Sequence, residues 1–214
     1  MTSKAIAKSL LEIKAVSVVT KDNLFTWASG IKSPIYCDNR LTMRHPAVRS
    51  QIADAFAQYI RQHYPTVEMI AGTATSGIPH AAWLAAKLNL PMVYVRTSAK
   101  QHGKGNRIEG GAVTDQRVIL IEDLISTGGS SLAAAAALQA GGARLLAVTA
   151  IFSYNFVEAA ERFAAAGIAY HTLTDYQTLL QVGVAAGYIK QTDVAELAEW
   201  SRNPRIFTPQ DGSQ

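Results

Sequence analysis

Residues 118–131 carry four consecutive aliphatic side chains (Val118, Ile119, Leu120, Ile121), then Glu122 and Asp123, then Leu124, Ile125 and a short run of small hydroxyl residues and glycines. Such an aliphatic run fits a strand covered on both faces, as in a parallel sheet. A strand of this kind delivers the two acids at its carboxyl end, where open α/β sheets bind ligands. The following loop, Ser126, Thr127, Gly128, Gly129 and Ser130, leads into the alanine-rich stretch 132–140, which reads as helix. Its glycines permit the backbone angles that turn successive N–H groups onto one anion at a helix N-terminus. A phosphate fits there, with Glu122 and Asp123 beside it for sugar hydroxyls or a cation.

The rest of the chain supplies the partners of such a strand. Strands are expected at 67–71, 91–95, 145–152 and 169–173, alternating with helices at 78–88, 156–166, 176–186 and 193–202. Strands alternating with helices predict an α/β fold with a mainly parallel, doubly wound sheet. Before them come an amphipathic helix at 3–14, a hairpin within 25–40 and a second amphipathic helix opened by Pro46. At 214 residues and 49% hydrophobic the chain is expected to be a single domain, 1–214, with 1–40 as a hood over the carboxyl edge of the sheet and 204–214 as a frayed tail.

Composition removes several classes of function. The single cysteine, Cys37, forms no intramolecular disulfide and no metal cluster, which favours a reducing, cytoplasmic setting. Residues 5–19 are interrupted by Lys8, Glu12 and Lys14, so neither a signal peptide nor a membrane span is expected. A net charge of +4 suits anionic ligands, but no run of like charge makes a nucleic-acid-binding arm. There is no GxxxxGK[ST], and no GxGxxG follows a strand, which demotes nucleotide hydrolysis and hydride transfer.

Two further segments point to phosphate. Residues 72–77 form a second small-residue loop between strand and helix, so a ligand with phosphates at both ends is expected. Residues 96–113 lack hydrophobic periodicity and bring together Arg96, Lys100, His102, Lys104 and Arg107, spaced by Gly103 and Gly105. That pattern suits a cationic lid closing over phosphates. His45, His63, His80 and His171 read as helix-surface or packing residues.

The stretch 118–131 resembles the phosphoribosyl-pyrophosphate signature of the type I phosphoribosyltransferases. Three other segments narrow the likeness: 25–40 with Ser-Gly-Ile-Lys-Ser-Pro, 72–79, and 96–105 with Arg-x-x-x-Lys-x-His-Gly-x-Gly. Together they resemble the orotate phosphoribosyltransferases, especially their Gram-positive bacterial form. The likeness covers nearly the whole chain up to about residue 190.

The resemblance implies transfer of ribose 5-phosphate from 5-phospho-α-D-ribose 1-diphosphate (PRPP) to orotate, with Mg²⁺ held mainly by the diphosphate and water. On that basis Glu122 and Asp123 hold the ribose hydroxyls, while Leu124, Ile125, Ser126, Thr127, Gly128, Gly129 and Ser130 form the PRPP loop. Thr75, Ser76 and Gly77 face the diphosphate. Arg96, Lys100 and His102 grip it from the 96–111 loop, which in this family reaches the neighbouring subunit's site and so implies a homodimer. Lys100 and Asp123 are the implied catalytic residues; Ser126, Lys32 and Tyr36 are implied to meet orotate. The chain departs from the pattern of other members at Ala28, Ser76 and Thr97, each a position where some carry lysine, and 152–155 lacks an arginine that some place there. Two alternatives stay open on the sequence: a purine phosphoribosyltransferase with a different base-covering segment, and a non-catalytic DNA-binding regulator on the same fold.

Overall fold

The computed structural model describes residues 2–19, 23–27, 30–98 and 107–207. In chain order its first half holds α1 (Ser3–Glu12), β1 (Val16–Val18), β2 (Phe25–Thr26), β3 (Lys32–Ser33), β4 (Ile35–Cys37), a 3₁₀ segment (Asn39–Arg44), α2 (Pro46–His63), β5 (Met69–Thr73), α3 (Gly77–Leu88), β6 (Met92–Val95) and β7 (Ile108–Glu109). The second half adds β8 (Arg117–Ile125), α4 (Gly129–Ala140), β9 (Arg144–Ser153), α5 (Val157–Ala165), β10 (Tyr170–Asp175), α6 (Tyr176–Ala185) and α7 (Val194–Arg202).

Six strands form one sheet in the order β10-β9-β8-β5-β6-β7, parallel except for the β6/β7 pair. The aliphatic run lies on its interior strand β8 and is buried on both faces, as its composition requires. Ile119 and Ile121 pack with Ile70 and Ile151 against Ile52 and Phe56 of α2 and Leu84 of α3. Val118 and Leu120 pack with Ala71 and Val148 against Ala134 and Leu138 of α4 and Phe163 of α5. Two apolar layers on one sheet make the doubly wound arrangement. α1 flanks it, lying on α6 and β10.

Three boundaries differ from the sequence reading, each for a pairing reason. β8 does not stop before the acids; it runs to Ile125, because β9 continues beside it with Glu122 opposite Ala150 and Leu124 opposite Phe152. β5 extends to Thr73, so the second loop shortens to 74–76, and its Ala74–Thr75 peptide is cis. Gly72 is therefore a strand residue, where an added Cβ would meet Ala81 Cβ and Ile78 Cα at 3.0 Å. The expected single hairpin at 25–40 becomes two pairings. β2 pairs with β3, whereas β4 turns away to pair with β1, a strand without a sequence signal because only Val16–Val18 takes part.

These N-terminal pairs are fastened to the carboxyl edge of the sheet by long-range contacts. The Cys37 N–H donates to Tyr154 Oη at 3.1 Å, Trp200 Nε1 donates to the Lys32 carbonyl at 2.9 Å, and Asn39 Nδ2 donates to the Asp123 carbonyl at 2.7 Å. Trp27, Tyr154, Phe156 and Trp200 stack around the junction, with the Trp27 and Tyr154 ring centres 4.6 Å apart. Cys37 is buried there, which pushes its thiol pKa up and keeps it a packing residue. His80 is likewise buried, with a pKa lowered to about 4 by desolvation, and His171 stacks on Tyr59 at 3.8 Å.

Candidate active site

A cleft of about 480 Å³ opens where β8 ends, between the 126–130 loop and the fastened N-terminal segment. Ser76, Glu122, Asp123, Leu124, Ser126 and Ser130 face it from the sheet side, and Tyr36 faces it from β4. Residues from both expected phosphate loops and from the base-covering segment thus share one space.

The geometry of the acid pair separates two jobs. Glu122 is 4% exposed. Its Oε2 accepts from Ser130 Oγ at 3.1 Å and Ser131 Oγ at 3.2 Å, and its Oε1 accepts the Asp123 N–H at 3.1 Å. Glu122 therefore ties the first turn of α4 to the end of β8. Asp123 is less buried and has its main chain held by Asn39, which leaves its carboxylate facing the cleft. Burial raises both pKa values, that of Glu122 to about 8, with the Asp123 charge as its second cause; burial is also the first cause for Asp123. A cation or a pair of sugar hydroxyls supplies what two desolvated carboxylates lack.

The loop after β8 has the form its glycines require. Gly128 has φ +78° and caps α4; an added Cβ would lie 2.9 Å from the Phe163 ring. Gly77 opens α3 so close to β8 that a Cβ would stand 2.5 Å from the Ile121 carbonyl. This close approach brings the 74–76 loop beside the acids. Of the remaining expected residues, Ile125 is buried in the core, and Thr75, Gly77, Thr127, Gly128 and Gly129 shape the loops without lining the cleft. Lys32 also lies off its wall, donating from Nζ to Thr26 Oγ1 at 2.8 Å. Arg96 stands at the base of the long loop, with Nη1 3.5 Å from Glu109 Oε1 and its N–H donating to the Arg107 carbonyl at 2.8 Å. Lys100, His102 and Ala28 lie outside the described residues.

Several groups at the cleft were not among the expected site residues. Ser131 anchors Glu122, Asn39 fixes Asp123, and Tyr154, Asp38 and Arg40 line the wall. Tyr154 reaches the site from a position 117 residues away from its hydrogen-bond partner Cys37, a proximity that no local pattern encodes.

The state of Glu122 gives a stability test in the ligand-free protein. An unfolded glutamate ionises near pH 4.3, whereas folded Glu122 holds its proton to about pH 8, so the unfolded chain binds fewer protons over that interval. Stability from this group is present below the lower value and is lost as pH rises through the higher one. Glu122→Gln should flatten the fall in Tm between pH 5 and pH 8.5 by roughly 5 °C relative to wild type. Parallel Tm curves for the two proteins would show that Glu122 is already ionised when folded.

Acids at the end of an interior parallel strand, beside an anion-sized loop at a helix N-terminus, suit a ligand that carries both sugar hydroxyls and a phosphate. Residues 43–162 match the phosphoribosyl transferase domain family. Orotate phosphoribosyltransferase from Bacillus caldolyticus is 54% identical over 199 residues, covering 93% of this chain and 96% of that protein. Among solved structures, UMP synthase from Leishmania donovani aligns with TM-score 0.79 at 26% identity, over 94% of this chain and 43% of that one. Orotate phosphoribosyltransferase from Aeropyrum pernix aligns with TM-score 0.74 at 27% identity, over 86% of this chain and 99% of that one. The chain belongs to the orotate phosphoribosyltransferases.

Proposed function

We propose that the cleft at the end of β8 is where PRPP and orotate react, forming orotidine 5′-monophosphate and diphosphate in de novo pyrimidine (UMP) biosynthesis. The observation that carries this reading is the shared wall. Asp123, Ser126 and Ser130 line one cleft with Ser76 and with Tyr36, so positions for sugar, phosphate, diphosphate and base are contiguous. The 126–130 loop takes the 5′-phosphate on its N–H groups and hydroxyls. Asp123 takes the ribose hydroxyls, Glu122 holds the loop against it, and the 75–77 segment, shaped by Thr75 and Gly77, meets the diphosphate through Ser76. Tyr36 and Ser126 bracket orotate, and residues 1–40 act as a hood.

N1 of orotate attacks C1′ with inversion as the C1′–O bond to diphosphate breaks. Positive charge grows on the sugar ring and negative charge on the leaving group, so catalysis is chiefly electrostatic and needs no covalent nucleophile. Arg96, Lys100 and His102, from the 96–111 loop of a second copy, stabilise the leaving diphosphate and exclude water from C1′. Such an arrangement makes the enzyme a homodimer.

Mg²⁺ fits this donor set as a substrate-borne ion. Among the described residues no group of three or more His, Cys, Asp and Glu side chains could hold a metal, whereas the desolvated Asp123 carboxylate faces the cleft. Asp123 would be the protein group beside an Mg²⁺ ion that the diphosphate brings with it. When bound, the ion neutralises charge on the diphosphate.

The proposed setting is cytoplasmic, with no nucleic acid or membrane partner; among the described residues no helix is long and apolar enough to cross a membrane. Diphosphate release measured with PRPP and each of orotate, hypoxanthine and xanthine tests the reading. Release with orotate alone is expected, and faster release with a purine base would overturn it.

A further inference from the structure

Orotate differs from uracil by a carboxylate at C6, so a site that selects it needs a cation at one edge of the ring. The 152–155 segment contains none. Among the described residues lining the cleft, the only Lys or Arg side chain is Arg40. We propose that Arg40 receives the C6 carboxylate of orotate, with Asp38 orienting its guanidinium, and so determines acceptor specificity. This assignment rests on the orotate reading of the cleft.

Four features of the segment support it. Arg40 is gripped along one edge: its Nε donates to Asp38 Oδ1 at 2.6 Å and its Nη2 to Asp38 Oδ2 at 2.8 Å. The grip leaves Nη1 for an anion, on a side chain that is 54% exposed. A fork held this way pays little further ordering entropy when a planar carboxylate arrives. Second, Arg40 Nη2 lies 3.4 Å from Tyr36 Oη, so a flat ring laid on Tyr36 has one edge at the guanidinium. Phe25 backs Tyr36 with ring centres 5.5 Å apart.

Third, the backbone under Arg40 is fixed to the catalytic edge. Asn39 bonds the Asp123 carbonyl and Cys37 bonds Tyr154, so the cation keeps its distance from the ribose site. Fourth, the acids on the wall do not all compete for Arg40: Asp38 pairs with it, while Glu122 is tied to Ser130 and Ser131. Asp38 neutralises Arg40 enough to keep it from collapsing onto Asp123, while leaving it a donor. The 5′-phosphate has donors of its own in the 126–130 loop, which makes it a poor candidate for the same cation.

Orotidine 5′-monophosphate and uridine 5′-monophosphate share ribose and phosphate and differ only in the carboxylate, so their affinity ratio isolates this contact. Binding of both, and of PRPP, is to be measured for wild type, Arg40→Met and Arg40→Lys. Wild type should prefer orotidine 5′-monophosphate. Arg40→Met should shrink that preference by about tenfold through weaker binding of the carboxylated nucleotide alone. Arg40→Lys should restore part of it, and PRPP affinity should stay within about twofold of wild type in both variants. A wild-type ratio in Arg40→Met, or equal weakening of all three ligands, would overturn the assignment. A wild-type protein that does not distinguish the two nucleotides would overturn the orotate reading beneath it, and the role of Arg40 with it.

Discussion

Lys100→Ala should lower kcat by about a hundredfold while changing the KM for orotate no more than about twofold. The reasoning starts from where charge develops. Orotate binding involves no departing diphosphate, so a lysine that acts on that group contributes little to it. As the C1′–O bond stretches, negative charge accumulates on the leaving oxygens in a site closed to water, and a fixed ammonium becomes worth far more there than in solvent. Steady-state kinetics with both substrates varied decide the matter, and an unchanged kcat would remove Lys100 from the mechanism. The loop has a defined root: the Arg96 N–H bonds the Arg107 carbonyl, and β7 pairs with β6 at Tyr94/Glu109 and Val95/Ile108. Both ends of the cationic segment therefore leave the sheet from adjacent positions.

Asp123→Asn should weaken PRPP binding by about tenfold to a hundredfold without a comparable loss of stability. Asparagine keeps the shape and one acceptor oxygen but loses the charge that pairs with sugar hydroxyls and any accompanying cation. The Asn39 contact is to the Asp123 main chain, so it survives the substitution. A drop in affinity then reports on the carboxylate itself. Isothermal titration with PRPP and Mg²⁺, alongside a urea denaturation curve, separates the two effects. Wild-type affinity would contradict the ribose assignment.

Much of the site was legible because its chemistry is local. Four aliphatics, two acids and a glycine-containing loop occupy one stretch, and the covalent chain alone brings them to the same strand end. The doubly wound sheet was equally legible, since each buried strand is a short apolar run and each helix has its own period. What the sequence reading misjudged depends on partners. Whether β8 stops at Glu122 or continues to Ile125 is decided by β9, which supplies hydrogen bonds beyond the acids. The division of labour between Glu122 and Asp123 follows from Ser130, Ser131 and Asn39. Arg40 belongs to the same 25–40 segment as the expected base contacts, yet its place on the cleft wall comes from the β4 pairing with β1 and the Cys37 contact to Tyr154. Lys32, expected as a base contact on the hairpin, sends its amine to Thr26, which itself lines the cleft.

The central claim is that one reaction site combines Asp123 of one copy with Lys100 of another. Mixing Lys100→Ala and Asp123→Asn proteins and allowing their subunits to exchange tests it directly. Each parent has a lesion in every site. In a hybrid dimer with loops acting across the interface, one site holds intact Asp123 and intact Lys100, and the other holds both lesions. A freely exchanged equimolar mixture should therefore recover about a quarter of wild-type diphosphate release. A mixture no more active than its separate parents, after exchange is verified, would contradict a site shared between copies.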